Sequence, residues 1–372
     1  MKVLEAINSL ESIAPLQFAA DWDNVGLLIG SSKWDANTIL LTIDLTESVL
    51  REAIHCSVQM IVAYHPPIFE PLSNLTDVET KQRIVLEAAR AKIAVYSPHT
   101  ALDAAPGGVN DWIAAGLGDG DTRALEANAC LPENEQYKIV TFCPEDDVER
   151  LRNTLAASGA GRIGNYELCS FELKGTGTFL AGKGTNPAIG KKGAIEKVDE
   201  VRLEMVCPKA ALALAVTTIK QFHPYEEPPI EIYKLQARPQ RSVGQGRRLV
   251  LDQKVSLNEL VERIKNRLGV KQVRVALGEN APRRFRSIGL CAGAGGSLRE
   301  EATQQGCQVF LTGEMRHHDV LAAQAAGCTV ILAGHTNTER GYLKVLRKRL
   351  RRDLPNATVI ISKKDSNPLR VM

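Results

Sequence analysis

In this 372-residue sequence five polar side chains stand where apolar runs end: Asp44 closes TILLTID, His65 follows MIVAY, His99 follows KIAVYSP, Glu314 follows Leu311-Thr312-Gly313, and His335 follows TVILAG. A short apolar run bounded by turn residues reads as a buried strand, and open α/β sheets place their chemistry outside the carboxyl ends of strands. His99 and Asp103 are four apart, as are His335 and Glu339, so each pair shares a face wherever the chain turns helical. Neutral imidazole with carboxylate suits zinc, iron or manganese, and a shared carboxylate can bridge two ions. Any one of these histidines alone reads more simply as a hydrogen-bonded loop or cap residue. Three histidines at strand ends with two such spacings point instead to a divalent-metal site. No GxSxG elbow is present and no cysteine stands beside a histidine at a strand end, which argues against a serine or cysteine nucleophile.

The elements that must position these groups follow from the same periodicities. Strands at 38–44, 60–64 and 92–96 alternate with helices at 47–55 and 78–91, and the grammar returns in strands at 287–291, 308–312 and 329–333. Leu4, Ile7, Leu10 and Ile13 predict an opening amphipathic helix. We expect two related α/β lobes, 1–131 and 237–372, forming a three-layer core. Between them 132–236 reads as strand, helix, paired strands, helix, strand, the βαββαβ order of a ferredoxin-like insertion. Its glycine-rich centre, GTGTFLAGKGTNPAIGKKG, reads as a hairpin with a mobile loop rather than a phosphate cradle, because no strand-to-helix turn follows. HPYEEP (His223, Glu226, Glu227) reads more simply as a proline-capped turn than as a further metal or ligand site. GLCAGAGGSLREEA (289–302) is a strand, glycine turn and helix with Ser297 as expected N-cap, and we expect it to line the pocket.

Composition bounds the partners. With 46 basic and 43 acidic side chains the net charge is only +3, so nucleic acid and anionic membranes are not the expected partners. The basic run Lys344, Arg347, Lys348, Arg349, Arg351 and Arg352 accompanies an apolar stripe of Leu343, Leu346 and Leu350, the pattern of a solvated helix face. No apolar stretch approaches the ~20 residues of a membrane helix, and Glu5 and Glu11 interrupt any signal-peptide core. The eight cysteines include no CxxC pair, which argues against a thiolate zinc site and a disulfide framework and predicts a reducing cytoplasm.

DWDNVGLLIG (21–30), VAYHPPIF (62–69), HTALD (99–103), LTGEMRHHDVL (311–321) and GHTNTERG (334–341) together resemble the GTP cyclohydrolase 1 type 2 homologue family, also described as NGG-interacting-factor-three-like proteins. The resemblance spans the chain; GTGTF (175–179), NPAIG (186–190) and HPYEEP (223–228) resemble the PII/CutA-like insertion of its longer members. It implies a divalent-metal centre of one or two ions (zinc, iron or manganese) in a cleft between the lobes, within a toroidal homohexamer. By that resemblance one ion would be held by His65, Asp103 and Glu339, and the other by His335, Glu339 and the residue before His65. The family usually has His-His before the proline, whereas this chain has Tyr64-His65. A neutral phenol with a pKa of ~10 is a poor ligand unless a metal lowers it, so the second ion is the one this departure affects. His99 is expected to orient Asp103 or a water, Glu314, His317 and His318 to act as general acid or base, and Trp22, Asp23 and Asn24 to form a loop over the site. The functions in competition are a metal-dependent hydrolase of a nucleotide-like substrate, a non-enzymatic metal-binding regulator or scaffold with a small-molecule-sensing insertion, and, resting on the basic terminal helix, a nucleic-acid-binding module.

Overall fold

Short apolar runs become strands buried on both faces, as parallel strands covered by helices require. In the computed structural model, which describes residues 1–369, these strands build three sheets within two units, Met1–Asn128 with the segment from Gln240 on, and Ala129–Pro239. In the first unit, β1 (Gly26–Ile29), β2 (Thr38–Thr42), β3 (Met60–Ala63), β4 (Ala94–Ser97) and β15 (Thr358–Ile361) lie in the order β1-β4-β3-β2-β15. β15, β2, β3 and β4 are parallel and β1 is antiparallel. The second sheet takes β5 (Gly120–Cys130), β10 (Arg238–Ser256), β11 (Arg274–Ala276), β12 (Arg284–Ala294), β13 (Val309–Glu314) and β14 (Thr329–Leu332), in the order β11-β14-β13-β12-β10-β5. Here β12, β13 and β14 are parallel and β11 is antiparallel, so the arrangement β2-β3-β4-β1 recurs as β12-β13-β14-β11. Each sheet also takes a strand from the other's stretch of chain: β5 lies in the second and β15 in the first.

Helices cover both faces of each sheet. α2 (Glu47–His55) and α3 (Thr80–Arg90) pack outside the first, and α9 (Arg299–Gln304) and α10 (His317–Ala325) outside the second. The inner faces share one core with α1 (Val3–Ile13), α4 (His99–Ala104), α5 (Val109–Ala115), α8 (Leu257–Leu268) and α12 (Leu343–Asp353). The expected three layers therefore describe each lobe separately, with the inner helical layer held in common. α1 buries Val3, Ala6, Leu10 and Ile13, while Leu4 is 52% exposed, so its apolar stripe is offset from the one periodicity suggested. α12 buries Leu343, Leu346 and Leu350, as its stripe predicts, and Arg349 and Arg351 donate to the carbonyls of Gly107 and Val359. At the heart of this unit Arg247 is fully buried; it pairs with Asp111 and donates to the carbonyls of Gly244 (2.7 Å), Gly246 (2.8 Å) and Ala105 (3.0 Å). A buried guanidinium is tolerable because its donors are matched in this way.

The other unit contains β6 (Tyr137–Cys143), α6 (Val148–Ala157), β7 (Ser170–Leu180), β8 (Ile195–Cys207), α7 (Leu212–Phe222) and β9 (Ile230–Lys234). Its antiparallel sheet has the order β7-β8-β6-β9, the split βαβ arrangement, and both helices share its core.

Candidate metal centre

The sheets carry the chain past their last strand residues directly into the site. The amides of Tyr64 and His65 extend the β2–β3 ladder by donating to the carbonyls of Thr42 (2.9 Å) and Ile43 (3.0 Å), and Gly334 does the same to Gly313 (2.8 Å) before His335. Asp44 lies beside His65, and its Oδ1 is 2.9 Å from His65 Nδ1; Glu314 Oε1 is likewise 2.9 Å from His335 Nδ1. Each carboxylate fixes a ring with Nδ1–H donating to it, which leaves Nε2 facing inward. Both Nε2 atoms face Glu339, at 3.5 Å from Oε2 for His65 and 3.3 Å from Oε1 for His335. α11 (Asn337–Arg340) presents this carboxylate, which is 2% exposed.

Ligand atoms of His65, His335 and Glu339 all lie within 4.8 Å of one another, so these three can hold a metal ion. The fit is supported from inside the site: Glu339 Oε2 is buried without a hydrogen-bond partner. An orphaned carboxylate oxygen opposite two inward imidazole nitrogens is a donor set that a cation completes. Gly293 makes room for it. At φ +62° a Cβ there would stand 2.7 Å from Glu339 Oε1 and 3.0 Å from His335 Nε2. Thr338 Oγ1 accepts from the Gly293 amide (2.8 Å), and Thr312 Oγ1 accepts from Gly295 (2.9 Å), so the glycine turn at 293–296 is pinned against the centre. Ser297 caps no helix; it lies within a short 3₁₀ turn ahead of α9.

The electrostatics agree with a cation site. Burial opposes charge on His65, but Asp44 and Glu339 outweigh it and push its pKa up to about 10. Glu339, and then Glu314, push His335 to about 9 against burial. Burial works against the Glu339 carboxylate, yet the two imidazoles hold it below its ordinary range.

Asp103 and Tyr64 are placed differently from the implied ligand set. Tyr64 donates its hydroxyl to Asp103 Oδ1, and the Asp103 carboxylate does not belong to the converging group of His65, His335 and Glu339. Burial, then the charges of Asp103 and Glu339, push the Tyr64 phenol well above its ordinary pKa, and burial raises Asp103 to about 6. His99 does not bond Asp103; its Nδ1 lies 2.7 Å from Asp23 Oδ1, and Thr100 donates to the same carboxylate. Burial opposes the Asp23 charge, but His99 and Thr100 hold its pKa down. His99 starts α4 at φ +26°, a strained conformation for a non-glycine residue, and its ring centroid is 5.5 Å from that of His65. Trp22, 65% exposed, stands edge-on to His99 with ring centroids 6.2 Å apart, and Asn24 donates to the Ile68 carbonyl (2.6 Å), which brings the loop at 22–24 to this edge.

Glu314, expected as a general acid or base, is placed against His335 by the contact of its Oε1 with His335 Nδ1. His317 and His318 do not join the centre: they are exposed at the start of α10, their rings 5.6 Å apart, and neither bonds to a member of the cluster among the described residues. The stretch 289–302, expected to line the pocket, contributes Ser297 and Arg299 to a cavity beside Glu314, whereas sequence reasoning missed Arg274 and Arg316. With Glu300, Glu314 and Asp319 they line this cavity of about 810 Å³, and Arg299 Nε, buried without a hydrogen-bond partner, lies 4.0 Å from Asp319 Oδ1. The three arginines come from three separate elements, so no spacing could have shown their proximity.

A family model described as Duf34/NIF3 (NGG1p interacting factor 3) matches residues 1–368. NIF3-like protein 1 of Rattus norvegicus is 35% identical, covering 100% of this chain and 93% of its own length. GTP cyclohydrolase 1 type 2 homolog of Halalkalibacterium halodurans is 34% identical, covering 97% of this chain and 96% of its own. Among solved structures, a Bacillus cereus protein related to NIF3 aligns over 100% of this chain and 99% of its own with a TM-score of 0.66 at 31% identity. A Staphylococcus aureus protein aligns over the same shares with a TM-score of 0.75 at 27% identity.

Proposed function

The chain belongs to the Duf34/NIF3 family, and from that membership we propose that it is a metal-dependent hydrolase acting on a nucleotide-like substrate. The observation that carries this reading is the buried Glu339 carboxylate, with one oxygen unpartnered, facing the Nε2 atoms of two oriented histidines. A zinc, iron or manganese ion there would supply Lewis-acid activation of water. His65, His335 and Glu339 would hold it; Asp44 and Glu314 fix the tautomers of the two imidazoles. His99, with Nδ1 committed to Asp23, keeps Nε2 to hold and pass on a proton. Arg274, Arg299 and Arg316 supply donors for an anionic part of the substrate. The cyclohydrolase names of relatives favour a nucleotide, and a panel of nucleotides and phosphoesters assayed at defined metal loading tests the reading. Turnover that requires metal and disappears in Glu339→Gln is expected; absence of turnover across the panel overturns it.

One observation favours the non-enzymatic alternative, a metal-binding regulator. The Tyr64 hydroxyl donates to Asp103, so two of the implied ligands engage each other, which supports a centre with fewer than two ions. Metal bound tightly without turnover is its signature. We further propose that 132–236 is a PII/CutA-like module inserted between lobes 1–131 and 237–372, a reading supported by its βαββαβ order. A homohexamer is proposed as the assembly, supported by the exposed apolar residues Phe171, Leu173, Ile195 and Ile232. Light scattering should give about six times 40.6 kDa, and a concentration-independent monomer refutes it. No helix among the described residues is long and apolar enough to cross a membrane, and all eight cysteines are unpaired, which supports the cytoplasm as its compartment.

A further inference from the structure

The glycine-rich stretch and HPYEEP, far apart in sequence and outside the metal centre, enclose one cavity of about 430 Å³ in the unit Ala129–Pro239. This volume is in the range of small-molecule sites. Phe142, Phe179 and Leu180 form apolar walls, and Pro187, Ala188 and Ile189 face them from the loop between β7 and β8. The charged groups are of one sign: beside the neutral hydroxyls of Thr178, Thr185 and Tyr225, the carboxylates of Glu200, Glu226 and Glu227 line the cavity, and no lysine or arginine among the described residues does.

Two of these carboxylates are fixed in place. Glu200 Oε1 accepts from the Tyr225 hydroxyl (2.8 Å), and both oxygens of Glu226 accept from the Asn186 amide (3.1 Å), which ties the loop to HPYEEP. Gly177 leaves room for the Glu200 carboxylate, which a Cβ there, 2.1 Å from Glu200 Oε2, would displace. Glu227 makes no hydrogen bond or ion pair among the described residues and is the carboxylate open to a ligand. These three carboxylates do not converge as a metal-ligating group; among the described residues that arrangement is formed by His65, His335 and Glu339. A phosphate is disfavoured by three like charges and by the absence of any facing cation. An organic cation fits both features, its charge meeting carboxylates and its body the aromatic and aliphatic walls.

We propose that this cavity is a binding site for a small organic ammonium ion carrying an apolar body. It lies in a different unit from the metal centre. Calorimetric titration of the full chain with phenethylammonium tests it, with 2-phenylethanol and phenylacetate as neutral and anionic counterparts. Saturable binding of one phenethylammonium per chain is expected, about tenfold tighter than the alcohol and with no heat from phenylacetate. Glu227→Gln is expected to weaken it about fivefold while melting like the parent. Gly177→Ala, which displaces the Glu200 carboxylate, should weaken it also and leave metal content unchanged. Equal binding of the alcohol, preference for phenylacetate, no saturable binding of phenethylammonium, or affinity unmoved in both variants overturns the proposal.

Discussion

The buried Glu339 carboxylate faces the Nε2 atoms of both His65 and His335, so Glu339 is the side chain on which the proposed metal binding turns. Glu339→Gln is expected to leave the protein folded but without metal by elemental analysis. Asp44→Asn replaces the charged acceptor that orients His65 with a neutral amide, and should weaken metal affinity by roughly 10- to 100-fold. If Asp44→Asn matches the parent, the orienting role assigned to Asp44 is wrong. Tyr64→His tests the departure from the family pattern: an imidazole beside Asp103 should raise metal content towards two ions per chain. Much of this centre was legible in the sequence, because His65 and His335 each follow an apolar run and the His335–Glu339 spacing matches a helical turn. What was not legible depends on side chains far apart in the chain. Nothing at Tyr64 announces that its hydroxyl is spent on Asp103, and nothing near His99 announces Asp23, 76 positions away. Buried Arg247, which binds backbone carbonyls on either side of the core, gave no local sign at all.

Helices and strands were read well where periodicity dominates and less well at their edges. The βαββαβ order of the insertion was visible because its apolar alternation switches cleanly between periods; the offset of the α1 stripe was not, since Leu4 and Val3 are equally apolar and only docking decides which turns inward. At the end of α7, His223 shows an element-scale dependence on pH. Its Nε2–H donates to the Phe142 carbonyl (2.9 Å) and its Nδ1 accepts from the Tyr225 amide (3.1 Å), so the neutral ring is the one that fits. Burial lowers its pKa, against the opposing pull of the Phe142 carbonyl, Asp147 and Glu200 and with a smaller push from Arg150. The unfolded ring takes up a proton near pH 6.5 while the folded one still resists, so stability is full above that pH. It declines as the pH falls below 6.5 and levels off beneath the folded pKa. Melting temperatures of the parent should therefore fall more steeply between about pH 7 and 5 than those of His223→Gln, and parallel curves would refute the assignment.

For the whole molecule, the insertion should be removable. β5 and β10 are neighbours in one sheet, and they approach so closely that a Cβ on Gly244 would stand 2.0 Å from the Glu126 carbonyl oxygen. The chain leaves one unit and re-enters it on adjacent strands, so a short hairpin in place of 132–236 should give a protein that melts cooperatively and still binds metal. Aggregation of every linker length tried would count against that. The exchange of outer strands between the two sheets has a different consequence, one of timing. β2 is paired along its length with β15, and Asp365 accepts from the Ile43 amide (2.8 Å) and pairs with Arg340 (2.5 Å). A ribosome makes β2 early and β15 only near residue 360, so through most of translation an apolar parallel edge waits without its partner. Nascent chains halted before Thr358 should stay protease-sensitive throughout the first lobe and lean on chaperones, whereas release of the next few residues should close the sheet and complete the bed on which His65 sits.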